Sequence, residues 1–245
     1  DDIRRIDWNL YSRFEKYFLK LFTDERQMHT QIFLDCSASM GKVHPGKAAY
    51  AIAAAAALGF LSVHNTDKVS FKLMKEDRAE DPYGVLVGKK AFFQAIASLE
   101  QTEFDGGADI AAAVTGCETG TRDGLTVIIS DFLTDSNWKK AVDYLQYKNR
   151  QVLLLQVLTP EELDPSYSGN VNLMDAEATD PFDSRNMRLK ITSGMLAAYD
   201  EALRDFLADM KSFCSSRDTG YITVNSKEPI ERVLFGELLK VGIMQ

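Results

Sequence analysis

The sequence predicts an α/β fold, a mostly parallel sheet with helices on both faces. Three observations point to it. Strand-like and helix-like patterns alternate along most of the 245 residues. Residues 125–129 are apolar at every position but Thr126, as expected of a central strand covered on both sides. A second apolar run, Ile32-Phe33-Leu34, ends in Asp35-Cys36-Ser37-Ala38-Ser39, which places a carboxylate and two hydroxyls on the loop leaving a strand. Open α/β sheets receive their ligands at that carboxyl edge.

Taken in order, residues 28–34 read as the strand feeding the Asp35 loop, and residues 47–64 as a helix whose many alanines let it lie close to a sheet. Residues 68–74 alternate Val69, Phe71 and Leu73 with polar positions, which predicts a strand. Residues 83–87 are expected to turn back beside it. Residues 89–99 read as a helix, 109–117 as a small-residue helix entered through Gly106-Gly107, 138–147 as a helix and 151–158 as a strand. Residues 171–177 and 186–191 then flank the turn signal Asp180-Pro181-Phe182-Asp183 and predict a β-hairpin inserted at about 168–191. From Met195 a long amphipathic helix is expected, its stripe of Leu196, Tyr199, Leu203, Phe206, Met210 and Phe213 facing the core. A strand at 221–224 and a helix opening at Pro229 close the chain.

Hydrophobic content of 45% supports one sizeable core. The expected organisation is an N-terminal segment, 1–27, packed on a single domain, 28–245. The formal net charge of -8 argues against general nucleic-acid binding. Cys36, Cys117 and Cys214 form neither a zinc pattern nor a disulfide framework, so a reduced, cytoplasmic setting is expected. The apolar run 48–63 is short for a membrane span and reads as a buried helix. His29, His44 and His64 are isolated and are expected at the surface.

Two further segments should reach the Asp35 loop: Phe104-Asp105-Gly106-Gly107-Ala108-Asp109, and Asp131 at the end of the apolar strand. One carboxylate with neutral oxygens suits a hard divalent cation, Mg²⁺ or Mn²⁺. The same residues would also serve as a polar, hydrogen-bonded loop cluster. Asp35-x-Ser37-x-Ser39, the Gly-rich loop and Asp131 resemble the metal-ion-dependent adhesion site (MIDAS) of von Willebrand factor A domains. The order of elements resembles that fold as well. With Asp1-Asp2-Ile3-Arg4-Arg5-Ile6-Asp7-Trp8-Asn9 and Asp175-Ala176-Glu177, the chain resembles a bacterial von Willebrand A-like group, domain-of-unknown-function family 58.

That resemblance implies a Rossmann-like von Willebrand factor A domain and a divalent ion on Asp35, Ser37, Ser39 and Asp131. It also implies a region ahead of Asp1 in the full protein and a role beside a MoxR-type AAA+ ATPase. One departure stands out. Ala108 replaces the Thr usual after the Gly-rich turn, so metal binding is expected to be weak or lost. Asp109 reads as a helix N-cap rather than a ligand.

The expected function is a non-enzymatic protein-interaction module, a partner's acidic residue completing the metal shell. The alternative is a Mg-dependent nucleotide or phosphoester hydrolase. Gly41-Lys42-Val43-His44-Pro45-Gly46-Lys47 matches most of a phosphate-binding loop, but Ala48 stands where the motif needs Ser or Thr. It reads as a basic turn before a helix. Arg4, Arg5, Asp7 and Trp8 are expected to fasten the N-terminal segment, and Asp175 and Glu177 to share a solvated hairpin face. Cys36 reads as a packed thiol.

Overall fold

The computed structural model of the chain describes residues 27–118, 124–165, 169–173, 187–232 and 236. Arg4, Arg5, Asp7, Trp8, Asp175, Glu177 and the turn at 180–183 lie outside the described residues, as does the chain beyond 236. Six strands form the main sheet: β1 (His29–Asp35), β2 (Lys68–Lys75), β3 (Arg78–Glu80), β4 (Leu125–Ser130), β5 (Gln151–Leu158) and β8 (Gly220–Asn225). Their order is β3-β2-β1-β4-β5-β8. All neighbours run parallel except β3, which pairs antiparallel with β2. Strands β6 (Gly169–Leu173) and β7 (Met187–Ile191) pair with each other as the inserted antiparallel hairpin.

Helix α1 (Ala38–Gly41) is a single turn after β1, and α2 (Pro45–His64) crosses from there to β2. Next come α3 (Lys89–Leu99), α4 (Ile110–Thr115), α5 (Trp138–Tyr147), α6 (Pro160–Leu163), α7 (Ser193–Ser215) and the short turn α8 (Ile230–Arg232). Helices α2 and α3 cover one sheet face, where Ile32, Leu34, Val127 and Ile129 meet Ala51, Ala55, Leu58 and Phe92. Helices α4, α5 and α7 cover the other, where Phe33, Ile128 and Leu154 meet Ile110, Val142, Leu145 and Met210. Neighbouring residues of one strand therefore enter opposite cores, which is why β1 and β4 are apolar throughout their centres.

The alanines of α2 do what their size predicts. A Cβ added at Gly59 would lie 2.9 Å from the ring of Phe92 and 3.0 Å from that of Phe71, so this helix approaches both its neighbours closely. By length and composition α2 could cross a membrane, but its buried residues face the sheet and α3.

Three expectations need correction. The strand beside β2 is the charged segment Arg78–Glu80, and residues 83–87 contribute only a single bridge, Leu86 to Val69. The α7 stripe is not core along its whole length. Leu203 and Met210 are buried, whereas Met195 and Tyr199 are 41% and 39% exposed, because the first turns run past the edge of the packed layer. His29 is buried on β1 and its Nε2 lies 3.0 Å from the Ser70 hydroxyl. Burial, with Arg150 and then Lys72 nearby, pushes its pKa down to about 4.

Candidate functional site at the carboxyl edge

Winding reverses between β1 and β4. From β1 the chain crosses through α2 to β2 on one side, and from β4 it crosses through α5 to β5 on the other. The loops after β1 and β4 diverge there and leave a crevice at the sheet's carboxyl edge. Leu34 pairs with Ile129 in the parallel register, so Asp35 and Ser130 reach the edge together. Asp131 follows the strand that pairs in parallel with the one ending at Asp35, so it reaches the Asp35 loop as expected.

Each carboxylate accepts a backbone N–H of its own loop, and Asp35 is also held by the end of β4. Asp35 Oδ1 accepts from the Ser37 backbone N–H at 2.9 Å, and Oδ2 accepts from the Ser130 hydroxyl at 2.6 Å. Asp131 Oδ1 accepts from the Leu133 N–H at 2.9 Å. The turn between them puts Phe132 at φ 58, a left-handed conformation uncommon for an aromatic residue. The buried Phe132 ring, edge-on to Trp138, holds it there. The Asp131 carbonyl accepts from Gln156 Nε2 at 2.8 Å, and Gln156 Oε1 accepts from the Tyr221 hydroxyl at 2.6 Å. This network ties the loop to β5 and β8. Ser37 and Ser39 share a hydroxyl–hydroxyl bond of 3.1 Å; Ser37 is buried and Ser39 half-buried.

The Gly-rich loop packs on these residues through its backbone. The Gly106 carbonyl accepts from the Ala38 N–H at 2.9 Å, and the Asp105 N–H donates to the Cys36 carbonyl at 3.0 Å. Gly106 sits at φ 71, which a residue with a side chain adopts at a cost. Asp109 is the N-cap of α4, as expected. Its Oδ1 accepts from the Ala112 N–H at 3.0 Å and from the Ser136 hydroxyl at 2.7 Å. Ala108 is buried and brings no oxygen to the cluster.

The residue that sequence reasoning missed is Lys47. It is 0% exposed, and its Nζ lies 2.7 Å from Asp131 Oδ2 and 2.8 Å from Glu162 Oε1. Glu162 has a second task. Its Oε2 accepts from the Thr159 N–H at 2.7 Å, and its own N–H donates to the Thr159 hydroxyl, closing a capping box at the start of α6. Two signals could have found the pair: Thr159-Pro160-Glu161-Glu162 directly after an apolar strand, and a lysine in the first turn of a helix otherwise lined with alanine. Lys47 was read as part of a basic turn; it is instead an internal cation.

The electrostatics follow from burial. Desolvation, and then the charge of Asp131, push the Asp35 carboxyl up to about 6, against hydrogen bonds from Ser130 and Ser37. Burial, and then Asp35, push the Cys36 thiol up to about 12, so it stays neutral and packed, as expected.

The four residues proposed as metal ligands are thus brought together, and two carboxylates with two hydroxyls are the right donor types for a hard cation. Their oxygens are nonetheless engaged from within. Both Asp35 oxygens and Asp131 Oδ1 accept protein hydrogen bonds, the hydroxyls bond each other, and an ammonium lies on Asp131 Oδ2. As folded, the cluster does not fit a divalent ion without displacing Lys47. Among the described residues there is no group of three His, Cys, Asp or Glu arranged to hold a metal.

Comparison with known proteins bears on the fold and the family. The conserved hypothetical protein BatB of Bacteroides thetaiotaomicron superposes with a TM-score of 0.51 at 17% identity, over 89% of this chain and 100% of that one. This is a likeness of fold, and the arrangement is von Willebrand factor A-like. Proximal thread matrix protein 1 of the mussel byssus, in a structure with a zinc occupied MIDAS motif, gives a TM-score of 0.48 at 9% identity, over 88% of this chain and 46% of that one. Uncharacterized protein Rv1480 of Mycobacterium tuberculosis is 29% identical over 184 residues, 73% of this chain. The chain spans 57% of the length of that curated relative. The family model described as Protein of unknown function DUF58 matches residues 1–200, and the chain belongs to that family.

Proposed function

We propose that this chain is a non-enzymatic protein-interaction module that meets its partner at the carboxyl edge of the sheet. The observation that carries this reading is the closed hydrogen-bond account of the Asp35–Asp131 cluster. Every group there that could do chemistry is occupied. The Ser37 and Ser39 hydroxyls bond each other, the Cys36 thiol is held neutral, and the Lys47 ammonium is spent on two carboxylates. A catalytic site needs an accessible nucleophile within reach of a free base; the Ser130 hydroxyl that donates to Asp35 is fully buried, and the Asp109 carboxylate that Ser136 reaches is committed to the cap of α4. The lysine that a phosphate-binding loop would require is consumed in the same way, which favours binding over nucleotide hydrolysis.

Around the cluster, the edge presents surface suited to contact. Val43 and Leu133 are 53% and 43% exposed, and Lys42, next to Val43 in the chain, pairs with Asp105 at 2.8 Å. Loops held by a rigid sheet are where binding surfaces usually lie. The partner implied by the family resemblance is a MoxR-type AAA+ ATPase. Biolayer interferometry with the cognate ATPase tests the reading. Val43→Asp with Leu133→Asp should weaken binding at least tenfold. Tyr147→Asp, at the far end of α5, should leave it unchanged. Equal binding by all three proteins would place the interface elsewhere. ATP turnover by the isolated chain, abolished by Lys47→Ala, would restore the hydrolase.

A further inference from the structure

We propose that Lys47 is a built-in cation that completes the carboxyl-edge cluster in place of a divalent ion, so the site is formed and held without metal. The inference rests on the geometry of the cluster, not on whether a partner docks there.

A fully buried lysine calls for a cause, because lysine is almost never fully buried unless paired. Local structure supplies none. Lys47 lies in the first turn of α2, where unsatisfied backbone N–H groups make the helix end positive and disfavour another cation. The carboxylates supply it. Asp131, on the loop after β4, and Glu162, in α6 after β5, converge on Nζ at 2.7 and 2.8 Å, and Asp131 is itself nearly inaccessible. Three carboxylates, Asp35, Asp131 and Glu162, meet at this edge, and the cation in direct contact with two of them is covalently part of the fold.

A second departure points the same way independently. Where the resemblance leads one to expect a hydroxyl ligand, Ala108 offers a methyl group and is buried. One change removes a donor for a metal; the other adds a positive charge against which a metal would have to compete. The hydroxyls of Ser37 and Ser39 share a hydrogen bond with each other.

The test is Mn²⁺ binding followed by electron paramagnetic resonance, with thermal melts in chelator and in Mn²⁺ or Mg²⁺. The natural chain should bind Mn²⁺ no tighter than millimolar and melt at one temperature in all three conditions. Lys47→Met keeps much of the stem and removes the charge. It should bind Mn²⁺ at least tenfold tighter and melt higher with the ion than with chelator. Folding of this variant only when Mn²⁺ is present would support the inference equally, since the ion would be replacing the ammonium. Lys47→Gln with Glu162→Gln leaves less uncompensated charge and guards against loss of the fold; it too should gain Mn²⁺ affinity.

Three outcomes would overturn the inference. One is sub-millimolar binding by the natural chain that Asp35→Asn abolishes. Another is no gain in affinity by the folded Lys47 variants. The third is a tenfold gain from Ala108→Ser alone, because the missing hydroxyl rather than the ammonium would then have kept the ion out.

Discussion

Lys47 and Asp131, 84 residues apart in sequence, meet at 2.7 Å with almost no solvent on either side chain. Breaking a buried pair by removing one partner leaves the other as an uncompensated charge and costs about 3–5 kcal/mol. Lys47→Met should therefore lower unfolding free energy by about that much in urea titrations with chelator present. Glu162→Gln should cost less, on the order of 1 kcal/mol, because its side chain is 18% exposed and Lys47 keeps Asp131. Equal losses from the two variants would mean that Asp131 alone does not compensate Lys47, because glutamine at 162 can still close the capping box.

The pH dependence of stability should contain two opposed slopes. His29 is held near pKa 4 in the fold against 6.5 ordinarily. Its contribution is complete above about 6.5 and is lost as pH falls toward 4, because the unfolded chain takes up a proton that the fold refuses. Asp35 is raised to about 6 from 3.8, so its contribution is complete below 3.8 and is lost as pH rises toward 6. The two cancel in part between pH 4 and 6. His29→Gln should make stability decline with rising pH in that window, and Asp35→Asn should make it climb. Chemical denaturation at half-unit intervals reads both; profiles parallel to the natural chain's would show that neither group is the source.

Two glycines near the site should respond oppositely to alanine. Gly106 sits at φ 71, and an added Cβ would strike the Glu76 carboxylate. Gly106→Ala should cost on the order of 1–2 kcal/mol and disturb the contact from the Ala38 N–H. Gly46 lies in the first turn of α2 with open space around it, so Gly46→Ala should be neutral or stabilise by about 0.4–1 kcal/mol. Differential scanning calorimetry would rank the two.

Asp109→Ala removes the N-cap of α4 and should cost about 1 kcal/mol, while Asp109→Asn retains most of the cap. Neither should alter Mn²⁺ behaviour, because the Asp109 carboxylate is committed to Ala112 and Ser136. A change in ion binding in either variant would move Asp109 into the cluster.

The layered fold was legible because periodicity reports which faces are covered. The boundaries expected for Lys89–Leu99, Trp138–Tyr147 and Gln151–Leu158 are those observed. The site was legible up to Asp35, Ser37, Ser39 and Asp131, all next to apolar strands. Elements set by tertiary context were not. Arg78–Glu80 has no apolar alternation and is a strand only because β2 offers it an edge. Met195 and Tyr199 continue a helical stripe past the layer that would bury it. The contact from Lys47 to Glu162 spans 115 residues and leaves no periodic trace.

The distance along the chain between Lys47 and its partners also bears on how the domain is made. During synthesis, α2 is complete long before Asp131 and Glu162 leave the ribosome. Until both arrive, Lys47 lacks the two carboxylates that pair with it in the complete fold. The ion pairs of a lysine in the first half of the chain are therefore completed only by its second half. Closure of loops of this length makes for slow, late assembly. A nascent chain halted before residue 131 should remain open to proteases at α2, and one extended past residue 162 should become resistant.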